Sequence, residues 1–226
     1  MTEVEEDLKE ALAAAQSGDY PTVLRLLQSL AEQGNPEAQR KLGEIYEHGF
    51  GLAKDLTEAV KWYRKAAEQG YAPAQVNLGR MYEYGWGIAQ DHVEAMKWFR
   101  KAAEQGNKEG RGSIGRMYHF GEGVPKNTPE AIRWWRMDAD QGDWGSQLGV
   151  ARLYFWGHGV KRDLVQAYFW YTLSIRNRIP YVDDGLTALA KSELKKAVKE
   201  MKPEQIAEAK RLVAAWTPTP APVVKT

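Results

Sequence analysis

A 36-residue period in aromatic and small residues limits what this chain can fold into more than any other feature. One tryptophan, one tyrosine, two glycines and one alanine each recur four times at this spacing. The columns are Trp62, Trp98, Trp134 and Trp170; Tyr46, Tyr82, Tyr118 and Tyr154; Gly49, Gly85, Gly121 and Gly157; Gly51, Gly87, Gly123 and Gly159; and Ala59, Ala95, Ala131 and Ala167. Five columns in one register indicate tandem copies of one structural unit, stacked so that neighbours bury a shared core.

Two amphipathic helices are predicted in each copy. Ala38, Leu42 and Ile45 follow the spacing of one helical face, and Trp62 and Ala66 belong to a second. The paired glycines between them supply positive φ angles and end the first helix. A capping box then opens the second helix. The boxes are Asp55 with Glu58, Asp91 with Glu94, Asn127 with Glu130, and Asp163 with Gln166. The pattern predicts an all-α fold of about twelve or thirteen helices.

The copies resemble a known repeat family. "AQRKLGEIYEHGFGLAKDLTEAVKWYRKAAEQG" and "AQVNLGRMYEYGWGIAQDHVEAMKWFRKAAEQG" carry the Leu-Gly-x-x-Tyr and Ala-x-x-x-aromatic signatures. These are similar to Sel1-like repeats, the longer-looped relatives of tetratricopeptide repeats. The resemblance implies a right-handed α-solenoid of antiparallel helix pairs in one continuous domain. The expected parts are a degenerate N-terminal capping helix pair (1–37), four repeats (38–178), C-terminal capping helices (179–216) and a disordered Pro-rich tail (217–226).

Glycines inside the predicted helices need a separate explanation. Gly43, Gly79 and Gly115 are predicted to let paired helices approach closely, while the tryptophan column packs between repeats. Repeat three also carries Gly110 and Gly112 in its first helix. Each interior glycine costs a helix about 1 kcal/mol relative to alanine. These glycines are either drift that the neighbours tolerate, a flexible point, or a place where a ligand backbone approaches closely.

Composition narrows the class of partner. Lys and Arg number 31 against 30 Asp and Glu, which disfavours general binding to nucleic acid or anionic lipid. The acidic N-terminus lacks the features of a signal peptide, and no apolar run approaches the roughly 18 residues of a membrane span. We therefore expect no membrane insertion and a cytoplasmic location, or a periplasmic or secreted one if a signal peptide has been removed.

Charge is distributed unevenly along the chain. The first 34 residues contain seven acidic and two basic residues, whereas the stretch from Gly185 onward contains eight basic and four acidic ones. This asymmetry could steer docking of a partner or favour head-to-tail self-association.

The resemblance also implies where a ligand would bind. Tetratricopeptide relatives use a concave groove formed by the first helix of each pair. Their ligand-contacting positions correspond here to Glu44, Arg80, Arg116 and Arg152, and to His48, Tyr84, Phe120 and Trp156. Second-rank candidates are Val76, Glu83, His119 and Phe155. Each of the three arginines precedes an aromatic residue by four positions, so each pair shares a helical face.

These residue types fit a peptide ligand. Arginine grips carboxylates through a planar fork of donors, and rigid aromatics add contact area. The prediction is a non-catalytic adaptor that binds a peptide or protein segment with acidic and apolar side chains. Alternatively, the arginines pair with Glu83, Glu109 or other carboxylates of the chain and only solvate a face.

Two other function classes remain open. The sequence lacks a nucleophile elbow, a phosphate loop and His-Glu metal spacing, so we predict no catalytic residue, cofactor or metal. The enzyme alternative is a hydrolase related to β-lactamase-like members of the family, but those are cysteine-rich and this chain has no cysteine. A regulator or assembly factor could instead dock folded partners through loops and the convex face. Phe50, Trp86 and Trp144 are candidates there, although we expect them to be packed.

Overall fold

The computed structural model describes residues 3–178 and 185–219, and within these ranges it contains twelve α-helices and no strand. The helices are α1 (Glu3–Ser17), α2 (Tyr20–Glu32), α3 (Pro36–His48), α4 (Leu56–Glu68), α5 (Ala72–Tyr84), α6 (His92–Glu104), α7 (Lys108–Phe120), α8 (Thr128–Ala139), α9 (Trp144–Trp156), α10 (Leu164–Arg176), α11 (Leu186–Glu200) and α12 (Pro203–Ala215). The 36-residue period corresponds to the successive helix pairs α3 with α4, α5 with α6, α7 with α8, and α9 with α10.

The predicted capping residues begin the second helix of every pair. The Asp55 carboxylate accepts a hydrogen bond from the backbone N–H of Glu58 at 2.9 Å. The same bond joins Asp91 with Glu94, Asn127 with Glu130, and Asp163 with Gln166. At the end of the first helix of the first pair, Gly49 has a φ of 77°. Local sequence therefore sets where these helices begin and end.

A glycine lies at the contact between the helices of a pair. A Cβ on Gly79 would be 2.6 Å from the Phe99 ring, which is too close for any side chain to fit. The equivalent contacts pair Gly43 with Tyr63 and Gly115 with Trp135. The ring of the second helix thus occupies the volume that a Cβ of the first helix would need, as predicted.

The tryptophan column is mostly buried. Trp62, Trp98 and Trp170 are at most 8% exposed, which confirms that they pack in the interior. Trp134 is only half-buried, whereas its neighbour Trp135 lies against α7, in the position that Tyr63, Phe99 and Tyr171 occupy in the other repeats.

The chain divides into two compact units, one through Gly110 and one from Arg111. The single continuous domain expected from the sequence stays a prediction. The division falls in the first turn of α7. Gly110 lies against the backbone of α6, where its Cβ would be 2.9 Å from the Phe99 carbonyl oxygen. The next residue, Arg111, is buried and ion-paired with the buried Asp138 of α8. Neighbouring residues of α7 therefore belong to different cores.

The three glycines of α7 differ in their surroundings. Gly110 and Gly115 are each pressed against a neighbouring helix, so packing requires them. A Cβ on Gly112 would meet nothing within 4 Å. Close helix packing, which the sequence predicts for Gly115 but not for Gly110, accounts for two of these glycines and leaves Gly112 unexplained by the fold.

The segment after α12 is ordered further than expected. Trp216 packs against the core of the second unit, and Arg176 lies over its ring at 5.1 Å from the centroid. The backbone N–H and hydroxyl of Thr219 both donate to the Asp140 carbonyl oxygen, at 2.8 and 3.0 Å. The prediction of a disordered tail is therefore wrong for residues 217–219. The rest of that tail, and residues 179–184 of the expected capping helices, lie outside the described residues.

The glycines of α7 allow a matched test of this packing. Gly115→Ala should lower the free energy of unfolding by about 1–3 kcal/mol, because its Cβ would lie 2.3 Å from Nε1 of Trp135. The displaced indole would also weaken its 3.1 Å hydrogen bond to the Gly112 carbonyl. Gly112→Ala, on the same helix, should instead be neutral or stabilise the protein by up to about 1 kcal/mol. Urea unfolding of both variants checks this, and equal losses would contradict the packing account.

Candidate partner-binding clefts

The first unit contains a cleft of about 490 Å³ between α3, α5 and the loop that follows α5. Tyr84 and Trp86 form one wall, both of them exposed, with ring centroids 4.7 Å apart in a stacked arrangement. Glu44, Glu47, His48 and Arg80 supply the polar lining. We call this the first cleft.

Charged groups of the first cleft are already paired within the chain. Arg80 donates to Glu109 at 3.0 Å, and Glu44 forms an ion pair with Arg40. Glu47 accepts a 2.6 Å hydrogen bond from the Tyr63 hydroxyl. Burial of that hydroxyl, together with Glu47, raises the pKa of Tyr63 far above its ordinary value, so the hydroxyl remains a donor. The alternative prediction that Arg80 pairs with Glu109 is thus confirmed.

A larger cleft, of about 880 Å³, lies in the second unit and is called the second cleft here. Trp156 is 48% exposed and stacks on His158, with centroids 6.4 Å apart and an interplanar angle of 19°. Trp135 and Arg152 also line this cleft, and the Arg152 side chain is 48% exposed. An aromatic surface and a guanidinium therefore face the same open space.

Three helical glycines widen the second cleft. A Cβ on Gly112 or Gly149 would meet nothing within 4 Å, and one on Gly145 would meet only the Asp143 carboxylate at 3.6 Å. None of these positions needs glycine for packing. Sequence reasoning did not single out Gly145 or Gly149. The available signal was the 36-residue column Lys41, Asn77, Ser113 and Gly149, in which the fourth repeat alone lacks a side chain.

Arg152 is held by a buried carboxylate. Its Nε lies 3.4 Å from Oε2 of Glu193 on α11, and the Tyr171 hydroxyl donates to that same oxygen at 2.8 Å. Glu193 is only 3% exposed, so removing Arg152 would leave a buried carboxylate with a single neutral donor. Arg116, on α7, lies 3.3 Å from Glu122.

Three second-rank candidates are not surface residues. Val76, Glu83 and Phe155 are 1–2% exposed, and the prediction that they line a groove is wrong on this ground. Val76 and Glu83 are seven residues apart on α5 and share its buried face. Phe155 occupies the position of Glu83 two repeats later and packs in the second-unit core, with its ring 6.1 Å from that of Tyr171.

Other candidate side chains are accessible. Phe120 is the most exposed of the predicted aromatics, at 61%, and His48 is also exposed. The expectation that Phe50 and Trp86 are packed is wrong, because both are more than 40% exposed; Phe50 lies parallel to the Tyr20 ring at 6.1 Å. Trp144 is half-buried and packs against the second-unit core, as expected.

The sequence-family model of the Sel1 repeat matches four segments of the chain, residues 36–71, 72–107, 113–143 and 145–177. Together they cover more than half of its length. The chain belongs to the Sel1 repeat family. Its fold class is accordingly that of an all-α solenoid of helix pairs, and Sel1 repeat proteins are generally scaffolds for protein interactions with a typically non-catalytic fold.

The chain is similar to several solved structures, of which the first supports this membership. A Sel1 repeat protein from Oxalobacter formigenes is 32% identical with a TM-score of 0.72, over 91% of this chain and 83% of that one. A protective antigen of uropathogenic Escherichia coli with an SLR fold is 30% identical with a TM-score of 0.47, over 86% of this chain and 48% of that one. An immunity protein from Pseudomonas aeruginosa shares the fold at 18% identity and a TM-score of 0.53, over 88% and 84% of the two chains.

No curated protein matches the chain significantly. In the described residues, no group of three or more His, Cys, Asp or Glu side chains could hold a metal ion. No helix in residues 3–178 or 185–219 is both long and apolar enough to cross a membrane.

His119 should make the stability of the second unit depend on pH. Burial lowers its pKa below the ordinary 6.5, with further lowering by the nearby Lys126 and His158. The folded state therefore takes up this proton less readily than the unfolded state does. The resulting stabilisation is present above pH 6.5 and is lost as the pH falls below that value.

The measurement is urea unfolding of wild type and His119→Gln at several pH values from 7 to 5. The difference in unfolding free energy between the two proteins should change in this range, with wild type losing more as the pH falls. Parallel pH profiles would show that His119 has no part in the dependence.

Proposed function

We propose that this Sel1 repeat protein is a non-catalytic adaptor whose second cleft binds an extended segment of a partner protein. The supporting observation is that Gly112, Gly145 and Gly149 open the cleft although the fold does not require glycine there. A side chain at these positions would occupy the space beside Trp156. Glycine on a helix face permits the close approach of a ligand backbone, at a cost in helix stability.

The chemistry of the walls favours a segment with apolar and acidic side chains. Trp156 and His158 form a flat surface against which an apolar or aromatic side chain can pack. The exposed part of the Arg152 guanidinium can donate to a carboxylate of the ligand. Tryptophan and arginine are the residue types that most often dominate binding energy at interfaces.

In the first cleft the aromatic residues are better candidates than the arginine. Tyr84 and Trp86 offer an exposed stacked pair, whereas Arg80 is held by Glu109 and shares the cleft with Glu44 and Glu47. Asp143 likewise lines the second cleft, so charge alone does not distinguish the two clefts. We assign ligand binding to the second cleft because its glycines leave open space beside Trp156.

The proposal can be tested with peptides selected from a random phage-displayed library on the immobilised protein. Selected peptides should bind Trp156→Ala and Gly149→Ala at least about tenfold more weakly than wild type, as measured by fluorescence anisotropy. Gly149→Ala fills the cleft with a methyl group but should stabilise the fold by up to about 1 kcal/mol, since its Cβ meets no neighbour. A loss of binding with a gain in stability cannot result from unfolding.

Met137→Ala is the matched control for Trp156→Ala. Met137 is an exposed apolar residue of the same unit, 42% accessible, and does not line the second cleft. The Met137→Ala variant should bind the selected peptides with the same affinity as wild type. If the selected peptides bind all three variants as tightly as wild type, the second cleft is not the binding site. Arg152 is tested as Arg152→Lys, which keeps a charge beside the buried Glu193.

A further inference from the structure

The exposed face of α11 carries four lysines that the fold does not neutralise. Lys191, Lys195, Lys196 and Lys199 are all exposed, and their spacing places them on the side opposite the buried Ala190, Glu193 and Ala197. Within the described residues none of the four has an acidic side chain within 4 Å. The face therefore presents an uncompensated row of positive charge.

This row is unfavourable for the isolated helix. Lys191 and Lys195, and again Lys195 and Lys199, are one turn apart, and like charges at that spacing destabilise a helix. Lysines in the last turn interact favourably with the helix dipole, which explains Lys199 but not Lys191 in the first half of α11. An acidic partner would remove the repulsion.

The face of α1, in the first unit, has the opposite charge. Glu5, Glu6 and Glu10 are exposed, and Glu6 and Glu10 are again like charges one turn apart. Basic residues offset Glu6 and Glu10 only weakly. Lys9 lies among them, and Arg25 reaches Glu10 at 3.9 Å with both side chains more than half exposed.

Each charged face also has an exposed leucine at its margin. Leu12 of α1 is 56% exposed and borders a small apolar cleft of about 160 Å³ that Leu8 and Phe50 also line. Leu189 of α11 is 37% exposed and lies on the same side of the helix as Lys196, two turns away. Opposite charge beside matching apolar side chains is the complementarity expected of two surfaces that bind each other.

From this complementarity we infer that α11 of one copy docks on α1 of a second copy of the chain. This inference is independent of the second cleft and its ligand. Such a contact joins two different surfaces, so it is heterologous and lets further copies add. The charges are exposed, so the association is weak and depends on salt: the Debye length falls from ~30 Å at ~0.01 M to ~3 Å at ~1 M.

Sedimentation velocity over a range of protein concentrations tests the inference. At ~0.01 M salt the weight-average sedimentation coefficient should rise with concentration, and at ~1 M this rise should disappear. The triple variant Lys191→Glu, Lys195→Glu, Lys199→Glu should lose the rise at low salt, as should Glu5→Lys, Glu6→Lys, Glu10→Lys. An equimolar mixture of the two reversed variants should recover association, because the charges again match.

A net-charge control separates docking from general repulsion. Lys61→Glu, Lys97→Glu, Arg133→Glu changes three exposed basic residues on other helices and has the same net charge as the α11 variant. It should keep self-association at low salt, and all variants should keep wild-type helicity by circular dichroism. Absence of self-association of wild type at low salt would overturn the inference, as would its persistence in either reversed variant.

The net-charge control is also needed in the mixing experiment. A mixture of this control with the α1 variant should associate less than a mixture of the α11 variant with the α1 variant. Equal association of the two mixtures would mean that net charge alone drives association, and it would overturn the inference.

The lysine face could instead bind a polyanion. If wild type is monomeric at low salt but binds a DNA duplex or phosphatidylserine vesicles, and the α11 variant does not, the face belongs to that class of partner and the inference is wrong.

Discussion

The architecture depends on the contact between a glycine of one helix and an aromatic ring of the next. Because Gly79 has no Cβ, the Phe99 ring lies directly on the α5 backbone, and the two helices pack closer than side chains would allow. This contact fixes the rotation of both helices in a pair. It therefore decides which face of the first helix is buried and which side chains are left to line a cleft.

The fourth repeat keeps this arrangement with a different residue. Ala151 stands where the other repeats have glycine, and it packs fully buried in the same core as Tyr171. The Tyr171 hydroxyl then bonds to Glu193 of α11, whereas the equivalent Tyr63 bonds to Glu47 of its own repeat. The capping helix thus supplies a carboxylate that the fourth repeat lacks, since Phe155 occupies the place of Glu47 after three periods. The same Glu193 carboxylate pairs with Arg152 and holds it at the edge of the second cleft.

Sequence predicted those features that depend on residues close together in the chain. The helix boundaries follow from capping residues three positions apart, and the glycine contacts follow from the repeat period. Groove positions transferred from a related repeat were less reliable. Val76 and Glu83 proved buried, because their exposure depends on how a neighbouring helix packs and not on spacing within α5. The Arg152 to Glu193 pair joins a repeat to a capping helix far along the chain, so no local pattern could reveal it.

The same residue type has two roles in this chain, and only the surroundings separate them. Gly115 and Gly112 lie one turn apart on α7, yet the first is in contact with an indole ring and the second borders open space. In sequence both are helix-weakening glycines of similar cost. The space available for a Cβ atom at each position distinguishes a glycine that packing requires from one that leaves room in a cleft.

Ion pairs within the chain limit what the arginines can add to binding. A ligand carboxylate that reaches Arg152 would have to share its guanidinium with Glu193, whose 3.4 Å contact is already made in the absence of a ligand. A ligand that drew Arg152 away would leave the buried Glu193 without its cationic partner, so the exchange gains little free energy. The second cleft instead offers a ligand the apolar surface of Trp156 and Trp135 beside the glycines. On this reasoning the aromatic residues supply affinity, while Arg152 selects which segments are accepted by disfavouring a basic side chain beside it.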